Sequence, residues 1–324
     1  MRHSISVPPT NYCIILSTFD PYLVLPNHGP DINVLPEVSS ISWPYPNRPN
    51  FTRTTTGEKF DVKLSEGQYA SLTRLLREFQ RVMISINLQS DWFICAGSLL
   101  GSWRHHNMIP WDDDIDVCVD VQYREILNSV LRKLPWDYST VSQRENDKLF
   151  FKPLDENATV NSLTIGSFRT PHRWSWPFLD IFYYQRNESN SELILFSKKH
   201  DIKEVFPLIY RPLGNHWYPT PRSPVLVLQK YYNGNVCFSS GYKHSLERST
   251  RSETVECESL LNRHPFVRRC PSSVNHNRND GLQLCDEHLV DGNGKSVHKI
   301  QTLVHLNDKD SLKFTVRNDK FQCP

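Results

Sequence analysis
With 324 residues, of which 38% are hydrophobic and 11% aromatic, the chain can build one large domain with appendages or two ordinary ones. Its 37 basic and 35 acidic residues leave a net charge of +2, which excludes a bulk nucleic-acid binder and leaves no charged tail. The 22 prolines against 12 glycines point to long, stiff loops.

Residues 1–57 are rich in proline, asparagine and serine without period, and read as an N-terminal stem or linker. The first clear element is a helix. Ser65 and Gln68 fit a capping box, and Tyr69, Leu72, Leu75, Leu76, Phe79, Val82, Met83 and Ile86 recur at the period of one buried face. Asp91–Ala96 reads as a strand and Leu99–Arg104 as a short helix. Ile115–Val119 is a second strand, apolar enough to be buried on both faces. Asp120 caps a helix over Tyr123–Lys133, which Leu134-Pro135 ends. Further strands are expected over Tyr138–Val141, Leu149–Leu154, Ser162–Phe168, Trp176–Tyr184 and Glu204–Tyr210. Gly214–Pro224 reads as a proline-punctuated loop, Val225–Tyr232 as a short helix, and His298–Leu306 with Leu312–Val316 as a terminal hairpin. Periodicity fails after residue 240. The organisation expected is therefore a stem over 1–57, a catalytic domain over 58–240 and an irregular cysteine-containing extension over 241–324.

Among eight cysteines no CxxC occurs, which disfavours a compact zinc knuckle. Cys95 and Cys118 lie in apolar runs and read as buried thiols. Cys237, Cys257, Cys270 and Cys285 cluster where disulfides would substitute for a missing core. Asn50, Asn157 and Asn187 each begin an N-glycosylation triplet. With the cysteines they favour a secretory-pathway lumen, Golgi or ER, or secretion. The apolar run Tyr12–Phe19 is too short to span a bilayer, so membrane association is expected only through an anchor not visible in this chain.

The chemistry concentrates in residues 93–117. An apolar run leads into Gly97-Ser98, a Pro110-Trp111 turn follows, and four carboxylates then stand in five positions. Asp114 and Asp116 alternate with apolar residues, so a strand places both on one face. A neighbouring strand carries the lone Asp180. Three such carboxylates can converge on Mg²⁺ or Mn²⁺, hard cations that prefer carboxylate and phosphate oxygens. Gly97 permits close approach of a phosphate, Ser98 offers a hydrogen bond at a helix start, and Arg104 has the forked geometry of a phosphate clamp. Of His105 and His106, one is expected to be structural or to contact substrate. Asp112 and Asp113 are divided evenly between a solvated turn and a role in the site.

Residues 96–105 (Ala-Gly-Ser-Leu-Leu-Gly-Ser-Trp-Arg-His), 109–116 (Ile-Pro-Trp-Asp-Asp-Asp-Ile-Asp) and 178–182 (Phe-Leu-Asp-Ile-Phe) closely resemble the LicD family, which includes bacterial phosphocholine transferases and animal fukutin-type proteins. The resemblance is firm over about residues 60–185. It implies an α+β fold of the nucleotidyltransferase type, a small mixed β-sheet flanked by helices, here with an irregular N-terminal stem and C-terminal tail. It also implies transfer of phosphocholine or ribitol phosphate from a CDP-linked donor to a hydroxyl of a glycan or glycoprotein, releasing CMP. By residue, Asp114, Asp116 and Asp180 match the family's metal-binding and catalytic carboxylates, Gly97 and Ser98 its turn, and Arg104 and His105 its Arg-His pair. One departure is His106-Asn107-Met108, where the family usually has a glycine.

Two other functional classes fit the sequence less well. A nucleotide-sugar glycosyltransferase would hold its donor with Asp-x-Asp, but only a helix and one strand precede that motif. A catalytically inactive, disulfide-stapled secreted binding module has no physical need for mutually repelling aspartates. An EF-hand-like loop lacks its glycine and terminal glutamate around Asp112–Asp116.

Overall fold
The computed structural model describes residues 59–153, 168–187, 189, 191–271, 283–304 and 315–324. The stem, the Ser162–Ser167 part of one expected strand, Leu312–Phe314 and the sequons at Asn50 and Asn157 lie outside them.

Helix α1 (Glu66–Ser85) starts where the capping box requires. The Gln68 backbone N–H donates to Ser65 Oγ at 3.3 Å and the Ser65 N–H to Gln68 Oε1 at 2.8 Å. These bonds satisfy two donors that helix geometry would otherwise leave unpaired. Its stripe from Leu72 to Met83 is buried against the main sheet. Strand β1 (Trp92–Ile94) follows, then α2 (Ala96–His105), β2 (Ile115–Asp120), a 3₁₀ turn (Val121–Tyr123) and α3 (Arg124–Leu131). Asp120 caps the 3₁₀ turn rather than α3 itself, its carboxylate accepting the Gln122 N–H at 3.2 Å. Next come β3 (Tyr138–Ser142), β4 (Asn146–Phe151), the short β5 (Phe168–Arg169) and β6 (Ser175–Trp176), and the long β7 (Phe178–Asn187).

The main sheet runs β1-β2-β7-β4-β3, and a hairpin of β8 (Glu192–Leu195) and β9 (Lys198–Asp201) extends it from the end of β7. Only β2 and β7 are parallel; the other pairings are antiparallel. This mixed sheet with flanking helices is the α+β, nucleotidyltransferase-like architecture expected. β2 is buried at all six positions, as its apolar run required.

Several elements differ from the sequence reading. Glu204–Tyr210 is not one strand: α4 (Ile202–Val205) occupies its start, capped by the Asp201 carboxylate accepting the Lys203 N–H at 2.8 Å. β10 (Ile209–Leu213) begins only after Phe206-Pro207. The presumed loop contains β11 (His216–Thr220), which pairs antiparallel with β10. Pro219 misled there; it is tolerated in a two-stranded ribbon with a free edge. After α5 (Pro224–Leu228) come four short strands: β12 (Val236–Phe238), β13 (Tyr242–Lys243), β14 (Arg248–Ser249) and β15 (Thr254–Glu256), paired β12–β15 and β13–β14. β16 (Phe266–Pro271), β17 (Gln283–Val290) and β18 (Ser296–Val304) form an antiparallel sheet in which β18 pairs with β17; most of the second arm of the expected terminal hairpin lies outside the described residues.

Cys95 and Cys118 are not free thiols. They form a disulfide with Cα atoms 5.9 Å apart, because β1 and β2 are neighbours. Cys237–Cys257 and Cys270–Cys323 are also bonded, and Cys285 is the free, buried cysteine among the described residues.

Segments after residue 240 share one hydrophobic cluster with α1 and the main sheet through Cys257, Leu260, Phe266, Cys285 and Val316. A buried ion cluster adds to this. Glu287, on β17, receives Arg211 at 2.7 Å, Arg269 at 3.0 Å and His106 at 2.9 Å. Both guanidinium groups stack on Trp103 of α2, 4.6 and 3.6 Å from its ring centre. Burial would raise the Glu287 pKa, but Arg211 and Arg269 hold it well below the usual range. Three chain segments thus meet on one carboxylate and clamp α2. Removing one partner leaves buried charges uncompensated, so Glu287→Ala should destabilise the fold by about 3–5 kcal/mol in denaturant unfolding; a loss below about 1 kcal/mol would show that the cluster is dispensable.

Candidate active site
The site forms where β2 and β7 run side by side. Parallel pairing sets Asp116 directly beside Asp180, and antiparallel pairing sets Lys148 of β4 on the other side of Asp180. Asp114, two residues before Asp116, faces the same way. Carboxylate oxygens of Asp114, Asp116 and Asp180 all lie within 4.8 Å of one another. The structure thus brings together the three aspartates singled out in the sequence.

The turn into α2 closes this cluster from one side. Ala96 takes a left-handed φ of 43°, and the Gly97 N–H then donates to Asp116 Oδ2 at 3.1 Å. A Cβ on Gly97 would stand 2.6 Å from Asp112 Oδ2, so glycine is required by a carboxylate at close approach. Ser98 is buried, and its Oγ accepts the Asp116 N–H at 2.8 Å, which fixes the turn to β2. Arg104 stands in the cavity wall, but its Nη2 donates to the carbonyls of Asn233, Gly234 and Val236 at 3.1, 2.6 and 3.2 Å. In this arrangement it secures the 233–236 loop, and burial lowers it to about 10. His105 is buried away from the carboxylates, with Nδ1 2.8 Å from the Pro265 carbonyl and its ring against Trp111 and Phe266. Burial pushes it down to about 3, so it is a neutral packing group. His106 caps α2 at a left-handed φ of 50° and turns to Glu287.

Two cationic groups were missed in the sequence. Lys148 Nζ lies 2.7 Å from Asp180 Oδ1 and 3.6 Å from the centre of the Phe178 ring, and Asn146 donates to the same oxygen at 2.8 Å. A lone lysine in the apolar run of β4 carries the same signal as the lone Asp180, and could have been read. His244 had no such signal, since no period surrounds it. Its Nδ1 lies 2.6 Å from Asp113 Oδ1 and its Nε2 3.1 Å from Asp114 Oδ2. Asp113 is therefore buried and engaged rather than solvated.

Electrostatics follow from crowding. Burial, reinforced by Asp180 and Asp112, pushes Asp116 up to about 8. Burial and Asp113 push Asp112 up to about 6. Burial raises Asp114 and Asp180 too, partly opposed by His244 and Lys148 respectively. Asp114 and Asp113 hold His244 well above its ordinary value despite burial. An all-oxygen, mutually repelling set of this kind fits a divalent cation, which would relieve the repulsion.

Beside the cluster opens a cavity of about 330 Å³ with Gly97, Asp112 and Asp116 in its floor. Trp111, Tyr232, Phe238 and Tyr242 wall it, and the Trp111 indole N–H donates to the Phe238 carbonyl at 3.0 Å. Its size is that of a small-molecule site.

A mixed sheet presenting paired carboxylates beside a Gly-Ser turn defines a nucleotidyltransferase-type domain. Residues 89–223 match the family described as LicD/FKTN/FKRP, nucleotidyltransferase domain, which supports a LicD assignment for this segment. Over 69 residues, 20% of this chain, it is 30% identical to the uncharacterized protein RT0683 of Rickettsia typhi (strain ATCC VR-144 / Wilmington). That match spans 22% of the relative's length. His244 lies outside the matched segment, whereas Lys148 lies inside it.

The carboxyl shifts fix a pH dependence. Asp has a pKa of about 3.9 in an unfolded chain. Between that value and about 8 the folded protein holds a proton at Asp116 that the unfolded chain has released, so this group's contribution to stability falls as pH rises. His244, raised above its ordinary value, acts in the same direction at higher pH. Urea unfolding in chelator should therefore show Asp116→Asn gaining stability relative to wild type from pH 5 to pH 8, and divalent cation should remove the difference. An unchanged difference across that range would contradict the crowding described.

Proposed function
We propose that this protein transfers a phospho-alcohol, of the phosphocholine or ribitol phosphate type, from a CDP-linked donor to a glycan hydroxyl and releases CMP. The observation that carries this reading is the convergence of Asp114, Asp116 and Asp180 within the matched segment. The hydroxyl oxygen forms a new bond to the alcohol-bearing phosphorus as the bond to CMP breaks, and a carboxylate of the cluster accepts the hydroxyl proton. Mg²⁺ or Mn²⁺, held by Asp114, Asp116 and Asp180, would neutralise charge on the phosphate oxygens.

The Gly97 turn, open because no Cβ intervenes, offers close approach to the donor phosphates. The aromatic cavity suits the planar base, whose π-face can stack on Tyr232 or Trp111. Ser98 holds the turn, and Arg104, in the cavity wall, is the guanidinium that would meet a donor phosphate. His105 supports Trp111 from behind.

Three disulfides and the exposed Asn187 sequon support an oxidising compartment, the secretory-pathway lumen or the cell exterior, with a glycan or glycoprotein as acceptor. Among the described residues no helix is long and apolar enough to cross a membrane. The glycosyltransferase alternative is disfavoured because β1 pairs antiparallel with β2, so among the described residues no parallel nucleotide-binding unit precedes the motif.

The test is a screen of CDP-linked alcohols, scored by CMP release with Mg²⁺ or Mn²⁺. One donor should turn over with a glycan acceptor, and Asp114→Ala or Asp116→Ala should lower turnover by at least about a hundredfold. Full activity in either variant, or no CMP from any donor, would sink the assignment.

A further inference from the structure
We propose that Asn187 carries an N-linked glycan, at the end of β7 remote from the candidate site. This rests on the reading that the chain matures in a secretory-pathway lumen. The geometry of one triplet carries the inference. Asn187-Glu188-Ser189 has the acceptor pattern, with a residue other than proline in its middle. Asn187 ends β7 and pairs with Glu192, the first residue of β8, so it stands where the hairpin turns. Asn187 and Ser189 are both exposed. The Ser189 hydroxyl donates to Asn187 Oδ1 at 2.6 Å. That bond ties together the two recognition groups of the triplet. It occupies the amide oxygen and leaves the amide nitrogen, the atom that takes the sugar, without a competing acceptor among the described residues.

A glycan has room there. Burial falls away along β7: Phe178 to Ile181 are buried, whereas Gln185 and Asn187 are exposed. Strand alternation puts Asn187 with Gln185 and Tyr183 on one face, and Asp180 with Phe182 and Tyr184 on the other. At about 3.3 Å per residue, Asn187 stands about 23 Å along the strand from Asp180. Its neighbours across the hairpin, Glu192 and then Asp201, are carboxylates rather than apolar side chains, a surface that stays in water. The sugar therefore leaves the three clustered aspartates uncovered. The co-reactant is an oligosaccharide linked to a lipid pyrophosphate. The anomeric carbon forms its bond to Asn187 Nδ2 as its bond to the pyrophosphate oxygen breaks, and one amide proton is lost as the lipid pyrophosphate departs.

The test uses the full chain, made in cultured eukaryotic cells behind a cleavable leader that delivers it to the lumen. Peptide-N-glycosidase digestion in ¹⁸O-water, read by peptide mass spectrometry, should convert Asn187 to ¹⁸O-labelled Asp in most molecules. Ser189→Ala should abolish that label and Ser189→Thr should keep it, with the three disulfides formed in both variants. An unlabelled Asn187 in wild type whose Cys95–Cys118, Cys237–Cys257 and Cys270–Cys323 bonds have formed would overturn the proposal, because the acceptor was then in the lumen and was passed over. A label that persists in Ser189→Ala would overturn the role given to the triplet. If the leader-bearing chain fails to form those bonds while the leaderless chain folds in the cytosol with free thiols, the compartment reading fails and takes the glycan with it.

Discussion

The structure turns on two carboxylates forced side by side. Parallel pairing of β2 with β7 sets Asp116 against Asp180, with the buried apolar residues Ile115, Val117, Leu179 and Ile181 on either side of them along the two strands. Buried like charges at this spacing cannot both ionise without a compensating cation, and burial lifts both carboxyls. The chain answers with Lys148 on Asp180, His244 on Asp114, and the Gly97 N–H on Asp116. Each comes from a different segment, so the repulsion at the centre dictates what must be packed around it.

That packing explains why the C-terminal part matters to a site that lies mostly within residues 89–223. The Cys237–Cys257 bond and its short strands deliver His244 and close the aromatic wall. Glu287, with Arg211, Arg269 and His106, fastens the β16–β18 sheet to α2. Since α2 begins at the Gly97 turn and ends at His106, the clamp at one end supports the geometry at the other. The left-handed φ of His106, which usually favours glycine, is accepted because its ring bonds Glu287 there.

Much of this was legible. The α1 stripe and its capping box, the buried β2 run and the three aspartates all rest on local pattern, and local pattern survives folding. Three kinds of fact did not. The Cys95–Cys118 bond depends on strand adjacency, which spacing alone does not encode. The β10–β11 hairpin was hidden by Pro219, whose missing N–H matters only where a partner strand needs it. His244 and the Glu287 cluster depend on long-range packing of a segment with no periodicity. Arg104 and His105 carry contacts that the motif does not announce: one holds the 233–236 loop and the other packs against Trp111.

The central claim is that Asp114, Asp116 and Asp180 form one cation site. Anomalous diffraction from crystals soaked in Mn²⁺ at millimolar concentration tests it most directly. The account predicts a single strong peak bounded by those three carboxylates, at the mouth of the aromatic cavity. A clean map with no peak there, or a peak elsewhere on the protein with these aspartates still joined to Lys148 and His244, would contradict it.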